Sequence, residues 1–163
     1  MTRITFTYIG FRYNIDRMTT PADLRELSSD LVVYAARLTR AVRRVHELPP
    51  GFRVLSLLDE HGPLGITALA AVDRSSQPTM SGTVAGLVGR GLVDKQPNPA
   101  DARGSVVTLT DLGHSELERV RAEYGATVAS RFTAHPDHTP ADLATAVAVL
   151  RDLLDTDLTK GTL

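Results

Sequence analysis

One stretch, DRSSQPTMSGTVAGLVGRGLVDKQPNPADARGSVVTLTDLG from Asp73 to Gly113, constrains the fold more than any other. It begins with a polar, proline-bearing cluster that reads as a helix start. Ser75 or Ser76 serves as N-cap, and Pro78 lies in the first turn, where its missing N–H does no harm. The helix that follows is apolar at Val84, Leu87 and Val88 and should bury that half, while Gly82, Gly86 and Gly89 each weaken it by roughly 1 kcal/mol against alanine. Such glycines suggest close approach, either to a ligand at Gly82 or to a neighbouring helix at Gly86. Gly91 ends the helix. Leu92–Gln96 and Ser105–Thr110 then read as two short strands joined by PNPADARG, a turn sequence of Pro, Asn, Asp and Gly.

The flanking chain is helical. Apolar residues from Asp23 to about His46 (Leu24, Leu27, Leu31, Tyr34, Leu38, Ala41, Val45) recur at steps of three and four, one stripe of a long helix. Pro49-Pro50-Gly51 stops it. Phe52–Glu60 reads as a second helix and GITALAAVDR as a third, with Thr67 as N-cap. Asp111 caps a long helix to about Phe132, and TAHPDHTPAD breaks it. A last helix carries Leu143, Val147, Leu150, Leu154 and Leu158 on one face. The order is ααααββαα. Residues 1–17 stand apart, holding Phe6, Tyr8, Phe11 and Tyr13 ahead of a fresh start at Met18; they read as an arm that is either disordered or packed on a partner chain.

Two short helices, a tight turn and a β-hairpin describe a helix-turn-helix with a wing. The expected fold is mainly α with a small β-wing. In such a unit the second helix presents its N-terminal residues to base edges in the DNA major groove. Gln77 suits adenine, Ser76, Thr79 and Ser81 suit bases or phosphates, and the Thr79 and Thr83 methyls suit thymine methyls. The net charge of -1 does not advertise a polyanion binder, yet Arg37, Arg40, Arg43, Arg44 and Arg53 share their segment with a single acid, Glu47. Acids gather instead near the C-terminus, as Asp142, Asp152, Asp155 and Asp157.

From about Leu55 to Leu117 the chain resembles the winged helix-turn-helix of MarR-family transcriptional regulators. The resemblance is carried by SSQPTMSGTVAGLVGRGLVDK and NPADARGSVVTLTDLGHSEL, and the helix order follows the family over about 140 residues. It implies that Arg103 at the wing tip, beside Gly104, meets the minor groove, with Asp101 orienting it by a charge-assisted hydrogen bond. Many relatives carry a basic residue where Gly82 stands, so affinity here should lean on Arg74, Arg90 and Lys95. The full expected DNA-binding set is Thr67, Arg74, Ser75, Ser76, Gln77, Pro78, Thr79, Ser81, Gly82, Thr83, Arg90, Lys95, Asp101, Arg103 and Gly104.

The resemblance also implies a homodimer on a pseudo-palindromic double-stranded operator. Residues 18–50 would then form a dimerisation helix, 51–113 the winged DNA-binding region, and 114–163 the C-terminal dimerisation helices. An effector pocket for a small lipophilic or aromatic compound is expected at Tyr34, Leu38, Phe52 and Tyr124, releasing a repressor by population shift. The other class of reading is a winged-helix protein-interaction module without DNA.

Other chemistry finds little footing. With no cysteine, thiolate metal sites and thiol sensing are excluded. His135 and His138 flank Asp137 in a proline-bounded loop without an obvious third or fourth ligand, so no metal site and no cofactor is expected. GLVGRG is neither a dinucleotide nor a phosphate loop, and no catalytic set appears, so the chain does not read as an enzyme. No apolar run approaches the ~20 residues of a membrane span, and the first residues lack a signal-peptide core, so the expected location is the cytoplasm.

Overall fold

The structure is a computed structural model that describes residues 20–98 and 101–155, with the backbone alone at 98 and 101–103. The expected arm, Leu158 and the tip of the wing lie outside the described residues. The chain divides after Glu47 into two units. No helix among the described residues is long and apolar enough to cross a membrane.

The first unit contributes α1, Pro21–Val45. It starts earlier than the expected Asp23, because Thr20 and Asp23 form a capping box. The Thr20 hydroxyl accepts from the Asp23 N–H at 3.3 Å, and the Asp23 carboxylate accepts from the Thr20 N–H at 3.2 Å. Arg43 and Arg44 in the last turn suit the negative end of the helix. Leu24, Val32, Tyr34, Leu38 and Val45 of this helix are exposed.

The second unit runs α2 (Phe52–His61), β1 (Leu64–Gly65), α3 (Ile66–Asp73), α4 (Gln77–Gly89), β2 (Val93–Asn98), β3 (Asp101–Leu109), α5 (Asp111–Thr133) and α6 (Pro140–Asp155). Its core joins Leu55 and Leu58 of α2, Leu69 of α3, Met80, Val84 and Leu87 of α4, Val93 and Val107 of the wing, and Leu117 of α5. Met80, Val84 and Leu87 sit at helical spacing, so burying them turns the other face of α4 outward. Gly51, at φ +80, starts α2 where a Cβ would lie 2.9 Å from the Leu87 side chain.

The sheet is three-stranded and antiparallel, in the order β1-β3-β2. β1 was not foreseen: two residues show no periodicity, and only pairing of Leu64 with Val107 and Gly65 with Val106 makes them a strand. It also moves the α3 cap. Gly65 occupies that position, and Thr67 lies inside the helix. The wing hairpin is longer than expected, pairing onward through Pro97–Ser105 to Asn98–Asp101. Pro97 is tolerated because β2 is an edge strand.

Thr110, not Asp111, caps α5: its hydroxyl accepts from the Gly113 N–H at 3.0 Å and donates to the Gly91 carbonyl at 2.7 Å. Asp111 instead supplies first-turn negative charge. Arg121 of α5 binds Asp59 of α2 at 2.7 Å, and His114 lies 3.9 Å from the same carboxylate. α6 opens on a second capping box between Thr139 and Asp142 and buries none of its residues. Leu143, Val147, Val149, Leu153 and Leu154 face outward.

Candidate nucleic-acid interface

The exposed start of α4 projects from the buried Met80–Val84–Leu87 face. Ser76 is the N-cap, accepting from the Thr79 N–H at 3.3 Å, and the two hydroxyls share a further bond of 2.7 Å. Gln77 is exposed, and its amide donates to the Thr67 hydroxyl at 3.2 Å. Thr67 therefore serves the tip of α4 rather than capping α3. Pro78, Thr79, Ser81 and Gly82 are all exposed. The Thr83 hydroxyl donates to the Thr79 carbonyl at 3.1 Å and is spent on its own helix.

Three expected contacts are placed differently from the sequence reading. The Ser75 hydroxyl is buried and has no hydrogen-bond partner among the described residues, so it cannot face a ligand as placed. Arg90 is exposed but donates to the Pro50 carbonyl at 2.6 Å. Among the described residues, an added Cβ at Gly82, Gly86 or Gly89 would meet nothing within 4 Å, so none of their helices packs against Gly86. Instead Gly82 and Gly86 line an open groove of about 330 Å³ with Pro50, Gly51, Thr83, Leu87 and Arg90.

The corner between α3 and α4 is tight. Arg74 takes φ 56 and ψ 35, the left-handed region, and is the one non-glycine residue with positive φ among the described residues. A side chain there costs roughly 1–2 kcal/mol. Its N–H bonds the Ala71 carbonyl at 3.2 Å, and the Ser75 N–H bonds the Ala70 carbonyl at 3.0 Å, closing α3. Beside it, Asp73 is held by Arg53.

On the wing, Lys95 is exposed in β2. Asp101, Arg103 and Gly104 fall on β3, and the side chains of Asp101 and Arg103 lie outside the described residues. Of the expected effector set, Phe52 and Tyr124 pair with ring centroids 6.4 Å apart, tilted by 45°. On α1, Tyr34 and Leu38 are exposed, with the Arg37 guanidinium 5.7 Å from the Tyr34 ring centre. The partnership of Thr67 with Gln77 was the residue role the sequence did not reveal, because ten positions separate them and no local pattern links them.

A helix pair with a polar, outward-facing second helix, backed by a three-stranded wing, defines a winged helix-turn-helix of the DNA-binding class. The MarR family model matches residues 49–105. An uncharacterized HTH-type transcriptional regulator of Mycobacterium leprae is 32% identical over 99 residues, covering 58% of this chain and 69% of that protein. The HTH-type transcriptional repressor IacR of Pseudomonas putida is 28% identical over 88 residues, covering 54% of this chain and 53% of its own. The crystal structure of RV1404 from Mycobacterium tuberculosis superposes with a TM-score of 0.58 at 26% identity, covering 82% of this chain and 94% of that one. The chain belongs to the MarR family of transcriptional regulators, DNA-binding proteins rather than enzymes.

Proposed function

We propose that this regulator is a homodimeric repressor that reads a pseudo-palindromic operator and is released by a small lipophilic or aromatic effector. The observation that carries the DNA reading is the tip of α4. Ser76, Gln77 and Thr79 are exposed on a helix whose opposite face is buried at Met80, Val84 and Leu87. The helix cannot roll, so those side chains keep one orientation toward base edges. The bare backbone at Gly82 and Gly86 admits a close approach by the duplex. Lys95 on β2 and Arg103 on β3 belong to the wing's share, with Arg103 directed to the minor groove and Asp101 bracing it.

Dimerisation is supported by the apolar faces that α1 and α6 leave uncovered. Residues 18–50 and 114–163 serve that role, and 51–113 form the DNA-binding region. Phe52 and Tyr124 are the half-buried ring pair that supports an aromatic effector.

Electrophoretic shift with the DNA upstream of its own coding sequence tests the reading. Binding should weaken with salt at a log–log slope near -0.9 per phosphate neutralised. Arg103→Ala should weaken it by about 1–3 kcal/mol, and Gln77→Ala should relax preference at one base position. No shift, or flat salt dependence, points to a protein-interaction module instead. Sedimentation as a monomer at micromolar concentration removes the dimer.

A further inference from the structure

We propose that Arg74 is the phosphate anchor that the recognition helix itself lacks, and that the α3–α4 corner keeps it in a strained backbone conformation for that use. The proposal deepens the DNA-binding reading and rests on it. α4 reads QPTMSGTVAGLVG and contains no charged residue. A helix that reads bases still needs its register on the duplex set by contacts to phosphate oxygens, and these come mainly from Arg and Lys. The grip must therefore come from residues flanking α4.

Two arginines flank it in the chain, Arg74 and Arg90, and a third, Arg53, reaches the same corner from α2; two of the three are engaged. Arg53 is bonded to Asp73, and Arg90 donates to the Pro50 carbonyl at 2.6 Å. Arg74 is exposed and, among the described residues, pairs with nothing. It stands two positions before the N-cap Ser76 and three before Gln77, at the end of α4 that faces outward. Its planar fork of donors matches a phosphate.

The backbone argues the same way. The turn demands a left-handed residue, at φ 56 here, which glycine supplies without strain. Among the described residues the arginine side chain makes no hydrogen bond or ion pair that would repay the fold for replacing glycine. The adjacent Ser75 hydroxyl is buried with no partner among the described residues, a second local sacrifice at the same corner. Breaches of local rules that gather at one point without a packing gain mark a site kept for function.

The test compares wild type, Arg74→Gly and Arg74→Lys by fluorescence anisotropy on a labelled duplex from the DNA upstream of its own coding sequence. Salt is varied between about 50 and 200 mM, and thermal melts run alongside. Arg74→Gly should bind about 5–10-fold more weakly at low salt, with the log–log slope flattened by about 0.9 per copy of the protein on the duplex. It should melt at the wild-type temperature or up to about 4 °C above it. Arg74→Lys should keep the wild-type slope. A wild-type slope in Arg74→Gly, while wild type binds DNA, overturns this proposal alone. Weaker binding accompanied by a lower melting temperature overturns it too, by making Arg74 a structural residue. A wild type that binds no DNA removes this proposal together with the reading beneath it.

Discussion

The Gln77 amide donates to the Thr67 hydroxyl at 3.2 Å, tying the tip of α4 to the preceding helix. On the proposed reading, a flexible glutamine would otherwise surrender rotamer freedom on meeting a base. Thr67 holds the side chain in place beforehand and leaves it exposed. Thr67→Val keeps the shape of the side chain and removes the hydroxyl. DNA affinity should fall by roughly 0.5–1.5 kcal/mol, the worth of one hydrogen bond, with the melting temperature little changed. Anisotropy titrations of the two proteins on the same duplex read this directly; equal affinities would leave Thr67 without a role.

Gly113 sits in the first turn of α5, where only glycine fits. A Cβ there would run into the Leu92 carbonyl oxygen, with the Leu109 side chain 3.2 Å away. The obstacle is backbone, which cannot swing aside as a side chain does. Gly113→Ala should therefore destabilise the unit by about 1–3 kcal/mol or more, lowering the thermal midpoint measured by circular dichroism. A midpoint equal to wild type would mean that the wing and α5 do not pack this closely.

Ser75→Ala should act in the opposite direction. The serine hydroxyl is buried without a partner among the described residues, so it carries a desolvation penalty that alanine lacks. A gain of about 1 kcal/mol raises the melting temperature by roughly 2–4 °C in a chain of this size. A lower melting temperature would show that the hydroxyl is satisfied after all.

Asp142 gives a pH dependence whose sign can be worked out. The Thr139 N–H, at 2.7 Å, and then the Thr139 hydroxyl, at 2.8 Å, bond its carboxylate and hold its pKa below the usual carboxylate range. A folded pKa below the unfolded one stabilises α6 above the unfolded value and loses that contribution as pH falls through the folded value. Helicity of α6 should therefore decline on acidification below about pH 4. Asp142→Asn should lack that acid step. Amide exchange at Asp142 and Leu143, followed between about pH 5 and pH 2, reports it.

Glu116 adds a smaller parallel effect on α5. The Arg119 guanidinium, bonded through Nε at 2.8 Å, lowers the carboxyl pKa. The pair is on the surface, so its loss at low pH should be minor beside the capping change.

The sequence by itself determined the helices and their breaks, which periodicity and chain breakers govern locally. Periodicity, caps and breakers placed all six described helices within a few residues. Pro49-Pro50-Gly51 and Gly91 marked real breaks, and Ser76 with Pro78 announced the start of α4, because caps and breakers act over three or four positions. At the helix starts the hydrogen bonds decided: Thr110 caps α5 in place of Asp111, and Thr20 caps α1 ahead of Asp23. Tertiary structure alone decided whatever depends on distant partners. β1 exists because Val106 and Val107 lie alongside it, and the wing lengthens past Pro97 because that strand is at the edge. Thr67 meets Gln77, Ser75 is sealed in and Gly113 presses on Leu92 only once α3, α4 and the wing close on one core. Those contacts join residues too far apart in the chain for any periodicity to record, so packing settles them.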